Sequence, residues 1–349
     1  MEQKPHSYGQ EEQYTYISGL GFLPQTPKQK ELRQLHISYN VVLFSILLLF
    51  FLRVSSPLPI LRLMSYLGFN VRVNPMTSLV IHSETAYQVG NILVYAAQML
   101  IPAGVIWLFL HREISPHKLW QAPAKGTSAA GVCMLAGVAV LAQCVALLCM
   151  KVLHLGGMII SWVPEEPPQE LWPFTLYIFS LTLLPAVLEE FLFHGMILRA
   201  FRRFGDITAL FVSSVMMTLV QTSADWMIYT MIMSLALGYF ALKTKSIFVP
   251  IAGSFIARGS FITFYLLQRS DHFASMQWIC LAVWTILLTL SLLAFCWMIS
   301  RDQKAFCLFR GDSYLTNRTK LKALLTNVVF WMIVLLAFLT IIRYLQIID

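Results

Sequence analysis

The stretch PFTLYIFSLTLLPAVLEEFLFHGMIL, residues 173–198, decides the fold class of this chain. It is apolar apart from two adjacent acids, Glu189 and Glu190, and an imidazole, His194. About 20 mostly apolar residues are enough for a helix to cross the hydrocarbon core of a bilayer. The stretch therefore predicts a membrane-spanning helix that carries two acids.

The composition of the whole chain supports a membrane location. Of the 349 residues, 58% are hydrophobic and only 12% are charged, whereas a soluble domain carries about 25% charged residues. The net charge is +8, but the basic residues form short clusters between apolar runs, which is typical of loops beside membrane helices. We therefore expect membrane lipid as a partner and no binding of nucleic acid.

About nine apolar runs follow one another along the chain, which predicts an all-α polytopic membrane protein with about nine transmembrane helices. The fifth and sixth runs are short for a span. Residues 1–36 contain no such run and predict a polar N-terminal tail, soluble and in part disordered. The runs cover residues 37–57, 87–110, 127–150, 173–198, 207–222, 226–242, 247–267, 278–299 and 325–342.

Basic residues are unevenly divided between alternate loops. Eighteen of the 25 Lys and Arg residues lie on the side of the N-terminus, six lie on the other side, and Arg258 falls inside a run. The positive-inside rule places the more basic side in the cytoplasm. We expect an integral protein of a bacterial plasma membrane with its N-terminus in the cytoplasm.

The glutamate pair is the candidate functional centre. A charged residue at the middle of a membrane helix costs about 2.5–3.5 kcal/mol on insertion scales, so each acid needs a polar partner, a proton or a ligand. Glu190 and His194 are four residues apart and share a helix face, an arrangement that suits a general base or part of a metal site. A purely structural clamp is equally compatible, with Arg258 as the partner of one glutamate.

Two stretches resemble motifs of the CPBP family, which contains the CAAX prenyl protease 2 and the bacteriocin-immunity (Abi) intramembrane endopeptidases. Glu189-Glu190-x-x-x-His194-Gly195 is similar to the first motif, Glu-Glu-x-x-x-Arg-Gly. Residues 238–251, GYFALKTKSIFVPI, are similar to the family pattern G-x-x-x-x-x-T-x-S-I-x-x-P-I. The resemblance spans residues 172–268 and implies a CPBP-like helical core there. The rest of the chain is then divided into three parts: the tail (1–36), the N-terminal transmembrane helices (37–171) and the C-terminal transmembrane helices (269–349).

The sequence departs from the family pattern where the family places its histidines. His194 replaces the motif arginine, Gln221 stands at the histidine of the second motif, and Ser254 and Arg258 stand at the two positions of the third. In the family, the first glutamate and the two histidines are understood to hold and activate water, and a divalent metal such as zinc is the cofactor that an active site of this kind would take. The sequence identifies no metal.

The resemblance implies peptide-bond hydrolysis by a glutamate-activated water. In that case Glu189, Glu190 and His194 are the catalytic candidates, and Gln221, Ser254 and Arg258 bind water or substrate. The alternative is a pseudoprotease that binds a membrane peptide, lipid or partner protein without cleaving it. A third reading, a transporter that couples protons through Glu189, lacks the internal repeats of such folds.

Overall fold

The computed structural model describes most of the chain. The described residues are 14–17, 21–24, 26–73, 80–114, 120–122, 125–160, 166–221, 223–268, 273–302, 306–308 and 313–347. In the predicted N-terminal tail, residues 1–13, 18–20 and 25 lie outside them. The remainder of that tail is ordered, because the first helix already begins at Pro27, where Thr26 caps it by accepting a hydrogen bond from the Gln29 amide.

Helices form nearly all of the described architecture. In chain order they are α1 (Pro27–Ser55), α2 (Pro57–Tyr66), α3 (Glu84–Leu110), α4 (Lys125–Leu155), α5 (Leu171–Leu181), α6 (Leu183–Glu190), a π-helical turn (Phe191–Ile197), α7 (Leu198–Arg202), α8 (Asp206–Leu219), α9 (Ala224–Thr244), α10 (Phe248–Gln268), α11 (Phe273–Arg301), α12 (Asn317–Leu325) and α13 (Val328–Tyr344). The all-α polytopic prediction is confirmed.

Short strands add three antiparallel pairs outside the helices. They are β1 (Tyr14–Ile17) with β2 (Gly21–Pro24), β3 (Val71–Val73) with β4 (Val80–His82), and β5 (Met158–Ile160) with β6 (Leu345–Ile347). The last pair joins the end of α4 to the end of α13 and so ties the C-terminus to the middle of the chain.

Seven spans are long and apolar enough to cross a membrane within the described residues, and the bent pair α12–α13 makes an eighth. The prediction of about nine exceeds this count because the fifth run folds as α8, which has only 14 residues. At 1.5 Å per residue α8 is about 21 Å long, shorter than the hydrocarbon core of about 30 Å. The ninth run corresponds to α13, which meets the preceding helix α12 at a bend of 66°.

The fourth apolar run, residues 173–198, is a broken helix rather than a continuous one. Its first part ends at Leu181, and Thr182 leaves helical geometry with φ −112° and ψ −77°. Pro185 explains this break, because its ring has no N–H and clashes with the carbonyl four residues earlier, which is that of Leu181. The two glutamates therefore lie at the end of the short helix α6, immediately before the π-helical turn.

Two clusters of buried apolar side chains hold the bundle together. One joins α1, α3, the π-helical turn and α8, and the other joins α4, α9 and α10. Helix α6 contacts both α3 and α10, and the π-helical turn contacts α3 and α9. The glutamate pair consequently lies where the two clusters meet, with elements from both halves of the chain around it.

Candidate functional site

The backbone around the glutamates departs from regular α-helix. In the π-helical turn, the Leu198 amide donates to the carbonyl of Phe193, five residues earlier. The same carbonyl also accepts a hydrogen bond of 2.9 Å from the hydroxyl of Ser213 on α8, so this irregular segment is satisfied by a neighbouring helix. Single π-helical turns inside α-helices occur frequently at functional sites.

Glu190 and His194 form a fully buried pair. His194 Nδ1 lies 2.6 Å from Glu190 Oε2, and both side chains have 0% exposure. The other ring nitrogen, Nε2, lies 3.1 Å from the carbonyl oxygen of Ser234. Because a carbonyl can only accept, Nε2 carries a proton. One further proton is then shared between Nδ1 and Glu190, so the pair is neutral as a unit.

Glu190 retains one unused acceptor. Its Oε1 atom is buried and has no hydrogen-bond partner among the described residues. An unpaired buried acceptor of this kind costs about 1–3 kcal/mol. Its presence distinguishes Glu190 from Glu189, whose two oxygens are both occupied.

Gly238 on α9 makes room for the histidine. A Cβ atom at this position would lie 3.0 Å from His194 Cδ2 and 2.6 Å from the Cδ1 atom of Leu210. Real Cβ atoms are hardly ever this close to another heavy atom. The glycine that opens the second family-like motif therefore allows the imidazole of the first motif to reach Ser234.

Glu189 is held by two donors from distant parts of the chain. The hydroxyl of Tyr95 on α3 donates to Oε1 at 2.5 Å, and the guanidinium of Arg258 on α10 forms an ion pair with Oε2. The Glu189 side chain is 10% exposed and that of Arg258 is 19% exposed. Both carboxylate oxygens are thus engaged in a largely buried network.

A second arginine stands beside this network. Arg53, near the end of α1, donates to the carbonyl of Val220 and lies close enough to Glu189 for the two side chains to interact electrostatically. Sequence reasoning missed both Arg53 and Tyr95. A signal for Tyr95 was available, because it lies four residues after Asn91 and therefore shares a helix face with a polar side chain.

The structure unites four of the six predicted site residues in two pairs. Glu190 contacts His194, and Glu189 contacts Arg258. Gln221 instead donates from Nε2 to the carbonyl of Met217 at 3.3 Å, and Ser254 is buried on α10, one turn before Arg258. In the described part of the chain, neither Gln221 nor Ser254 hydrogen-bonds to a glutamate.

The donor set does not fit a zinc ion. Gln221, Ser254 and Arg258 occupy the positions at which the resemblance expects ligands, and the Arg258 cation directly faces Glu189. A zinc site needs three or four Cys, His, Asp or Glu ligands. No group of three such side chains able to hold a metal ion occurs among the residues that the structure describes.

Comparison with known families bears on residues 171–259. This part of the chain matches the family model described as Type II CAAX prenyl endopeptidase Rce1-like. The match includes both glutamates, His194 and Arg258, and it confirms the resemblance drawn from the motifs. Neither the curated proteins nor the solved structures gave a match. Arg53 and Tyr95 lie outside the matched region and are supplied by the N-terminal helices.

Proposed function

We propose that this integral membrane protein uses a core similar to CAAX-type endopeptidases to bind a membrane-associated peptide, lipid or protein without hydrolysing it. One observation carries the proposal: both carboxylate oxygens of Glu189, the acid expected to activate water, are already engaged by Tyr95 and Arg258. A water molecule at this carboxylate has to share it with two buried donors, one of which is the Arg258 cation.

The residues at the two positions where the family places its histidines support the same conclusion. An activated water needs a neighbouring group that takes up or shares a proton near pH 7, and imidazole is the side chain suited to this. The amide of Gln221 and the hydroxyl of Ser254 can form hydrogen bonds but cannot act as bases at that pH. His194, the imidazole that does lie in the cluster, is committed to Glu190 and Ser234.

Retained hydrolysis is the second candidate, and one feature favours it. Glu190 Oε1 has no hydrogen-bond partner in the described part of the chain, and Oε2 of the same carboxyl group is hydrogen-bonded to His194. In this version Glu190, rather than Glu189, takes the proton from the attacking water, and His194 carries it to the leaving amine. The hydroxide oxygen forms its bond to the carbonyl carbon and moves the carbonyl π electrons onto oxygen. The C–N bond then breaks as the C=O bond re-forms and the nitrogen takes up the proton.

A cleavage assay in liposomes separates the two candidates. The purified full chain is incubated with a prenylated CAAX-terminated peptide, the substrate class named in the family description, and with a membrane peptide library. Parallel reactions contain Glu189→Gln, Glu190→Gln and the exposed control Glu170→Gln. We expect no cleavage by any of them. Cleavage by the wild type that disappears in Glu190→Gln but persists in Glu170→Gln establishes the second candidate.

A gain-of-function variant tests the physical reason for inactivity. Combining Gln221→His, Ser254→His and Arg258→Asn restores the family residues of the second and third motifs and removes the guanidinium from Glu189. We expect this variant to cleave a peptide that the wild type only binds, and Glu189→Gln in the same background to abolish the cleavage. If the triple variant folds but the wild type cleaves equally well, the proposal is wrong.

A further inference from the structure

A separate cavity of about 460 Å³ lies where α8 and α12 begin. Its lining includes Gly205, Thr208, Ser313, Thr316 and Lys320. Its size falls within the range of about 300–1,000 Å³ that is usual for small-ligand sites. The segment that precedes α8 carries Arg202 and Arg203, and the segment that precedes α12 carries Arg301 and Arg310. Both belong to the more basic side of the chain, which the positive-inside rule places in the cytoplasm.

The start of α8 offers backbone donors to this cavity. Its N-cap residue is Gly205, with φ of 108° and no side chain to accept from the first-turn amides. The first N–H groups of a helix have no partner within the helix and carry a partial positive charge. The carboxylate of Asp206 is drawn away, because its Oδ1 accepts from Arg202 Nε at 3.3 Å.

Lys320 brings a buried cation to the same place. It is only 3% exposed, and its ammonium donates to the carbonyl of Phe204. No other hydrogen bond of that ammonium occurs among the described residues, which leaves two of its three N–H donors unused. Glu31 lies close enough to interact electrostatically with this ammonium, but its carboxylate accepts hydrogen bonds from the Ser313 hydroxyl and the Tyr314 amide.

Thr208 adds a hydroxyl donor to this set. It is 8% exposed and lines the cavity, yet its hydroxyl has no partner in the part of the chain that the structure describes. A buried cation with spare donors, a hydroxyl that lines the cavity and the uncapped amides of a helix together present donors that suit an anion.

We propose that this cavity binds an anionic phosphate group, held by Lys320, Thr208 and the first amides of α8. Phosphate matches these donors because its several oxygens accept hydrogen bonds and its charge is stabilised at a helix N-terminus. The phosphate reaches the site either as a lipid headgroup or as a free phosphate. This site is independent of the glutamate pair and of the function proposed for it.

Titration of the full chain tests the site. In dodecyl maltoside, which carries no phosphate, the thermal midpoint is followed against inorganic phosphate, with sodium chloride of equal ionic strength as the reference. In nanodiscs, phosphatidylcholine is compared with and without phosphatidic acid. We expect a saturable rise in at least one arm, and the responding arm identifies the source.

Three variants make the outcome specific. Lys320→Met and Thr208→Val each remove one donor, and loss of a hydrogen bond to a charged group weakens binding by about tenfold or more. Lys322→Met alters an exposed lysine of the same helix and leaves the affinity unchanged. No rise in either arm, or equal weakening by Lys322→Met, overturns the proposal. If Lys320→Met does not fold, Thr208→Val decides.

Discussion

Replacing Arg258 with methionine leaves Glu189 buried with the Tyr95 hydroxyl as its remaining partner. Methionine keeps an apolar side chain of comparable length, so the loss is mainly electrostatic. Removing one member of a buried ion pair costs about 3–5 kcal/mol, because the other charge stays desolvated and uncompensated. The pair is 10% and 19% exposed, so we expect the lower end of this range.

The double variant Arg258→Met with Glu189→Gln isolates the ion pair. Glutamine carries no charge and can still accept from Tyr95, so the second substitution removes the uncompensated carboxylate. We therefore expect the double variant to recover much of the lost stability. The coupling energy between the two positions should approach about 2 kcal/mol, within the range for residues in direct contact.

The assay is equilibrium unfolding in mixed detergent micelles, followed by tryptophan fluorescence, for the wild type, both single variants and the double variant. Arg62→Met, an exposed arginine on α2, is the matched control and should change the free energy of unfolding by less than about 0.5 kcal/mol. Additivity of Arg258→Met and Glu189→Gln within about 0.5 kcal/mol would refute the reasoning, because Glu189 would then not depend on the guanidinium.

Further predictions concern packing, pH and metal. Gly238→Ala places a Cβ atom against His194 and should lower the free energy of unfolding by about 1–3 kcal/mol. In the control Gly104→Ala, the new Cβ atom meets no atom within 4 Å, and the free energy of unfolding should rise by up to about 1 kcal/mol. A thermal unfolding assay measures both changes. Burial raises the pKa of Glu113 above 4.5 against the opposing effect of Arg203. Since the folded state then binds the proton more tightly, this group's contribution to the free energy of unfolding falls as pH rises from about 4.5. Glu113→Gln should make the free energy of unfolding fall less steeply with pH. An unchanged slope would contradict the raised pKa of Glu113. A zinc chelator should leave the thermal midpoint unchanged, and a drop on chelation, reversed by added zinc, contradicts the donor-set argument.

Much of the architecture could be predicted from the sequence because the bilayer imposes a simple length rule. Apolar runs of sufficient length predicted spanning helices, and most of them match helices in the structure. The exceptions have local causes. The fourth run breaks after Leu181 because Pro185 removes a donor and crowds that carbonyl, and the fifth run is too short to span. The boundaries of the 172–268 core and the cytoplasmic orientation stay predictions.

The candidate site was only partly visible in the sequence. The contact between Glu190 and His194 could be predicted from their spacing, since residues four apart share a helix face. The place of Arg258 inside an apolar run likewise predicted an acidic partner. Tyr95 and Arg53 were missed because they lie 94 and 136 positions before Glu189 in the numbering. Contacts over such distances arise only when helices pack, and no periodicity along one segment reports them.

The sequence alone determined that the chain is a membrane protein and that two acids in residues 173–198 need partners, because lipid tolerates neither a charged surface nor an unpaired carboxylate. Tertiary structure decided which partner each acid has. Packing of α3 and α10 against α6 gives Glu189 a tyrosine and an arginine, whereas the π-helical turn and Gly238 give Glu190 a histidine. The different fates of two adjacent residues follow from a rotation of about 100° between them around the helix axis, which directs them to different neighbours.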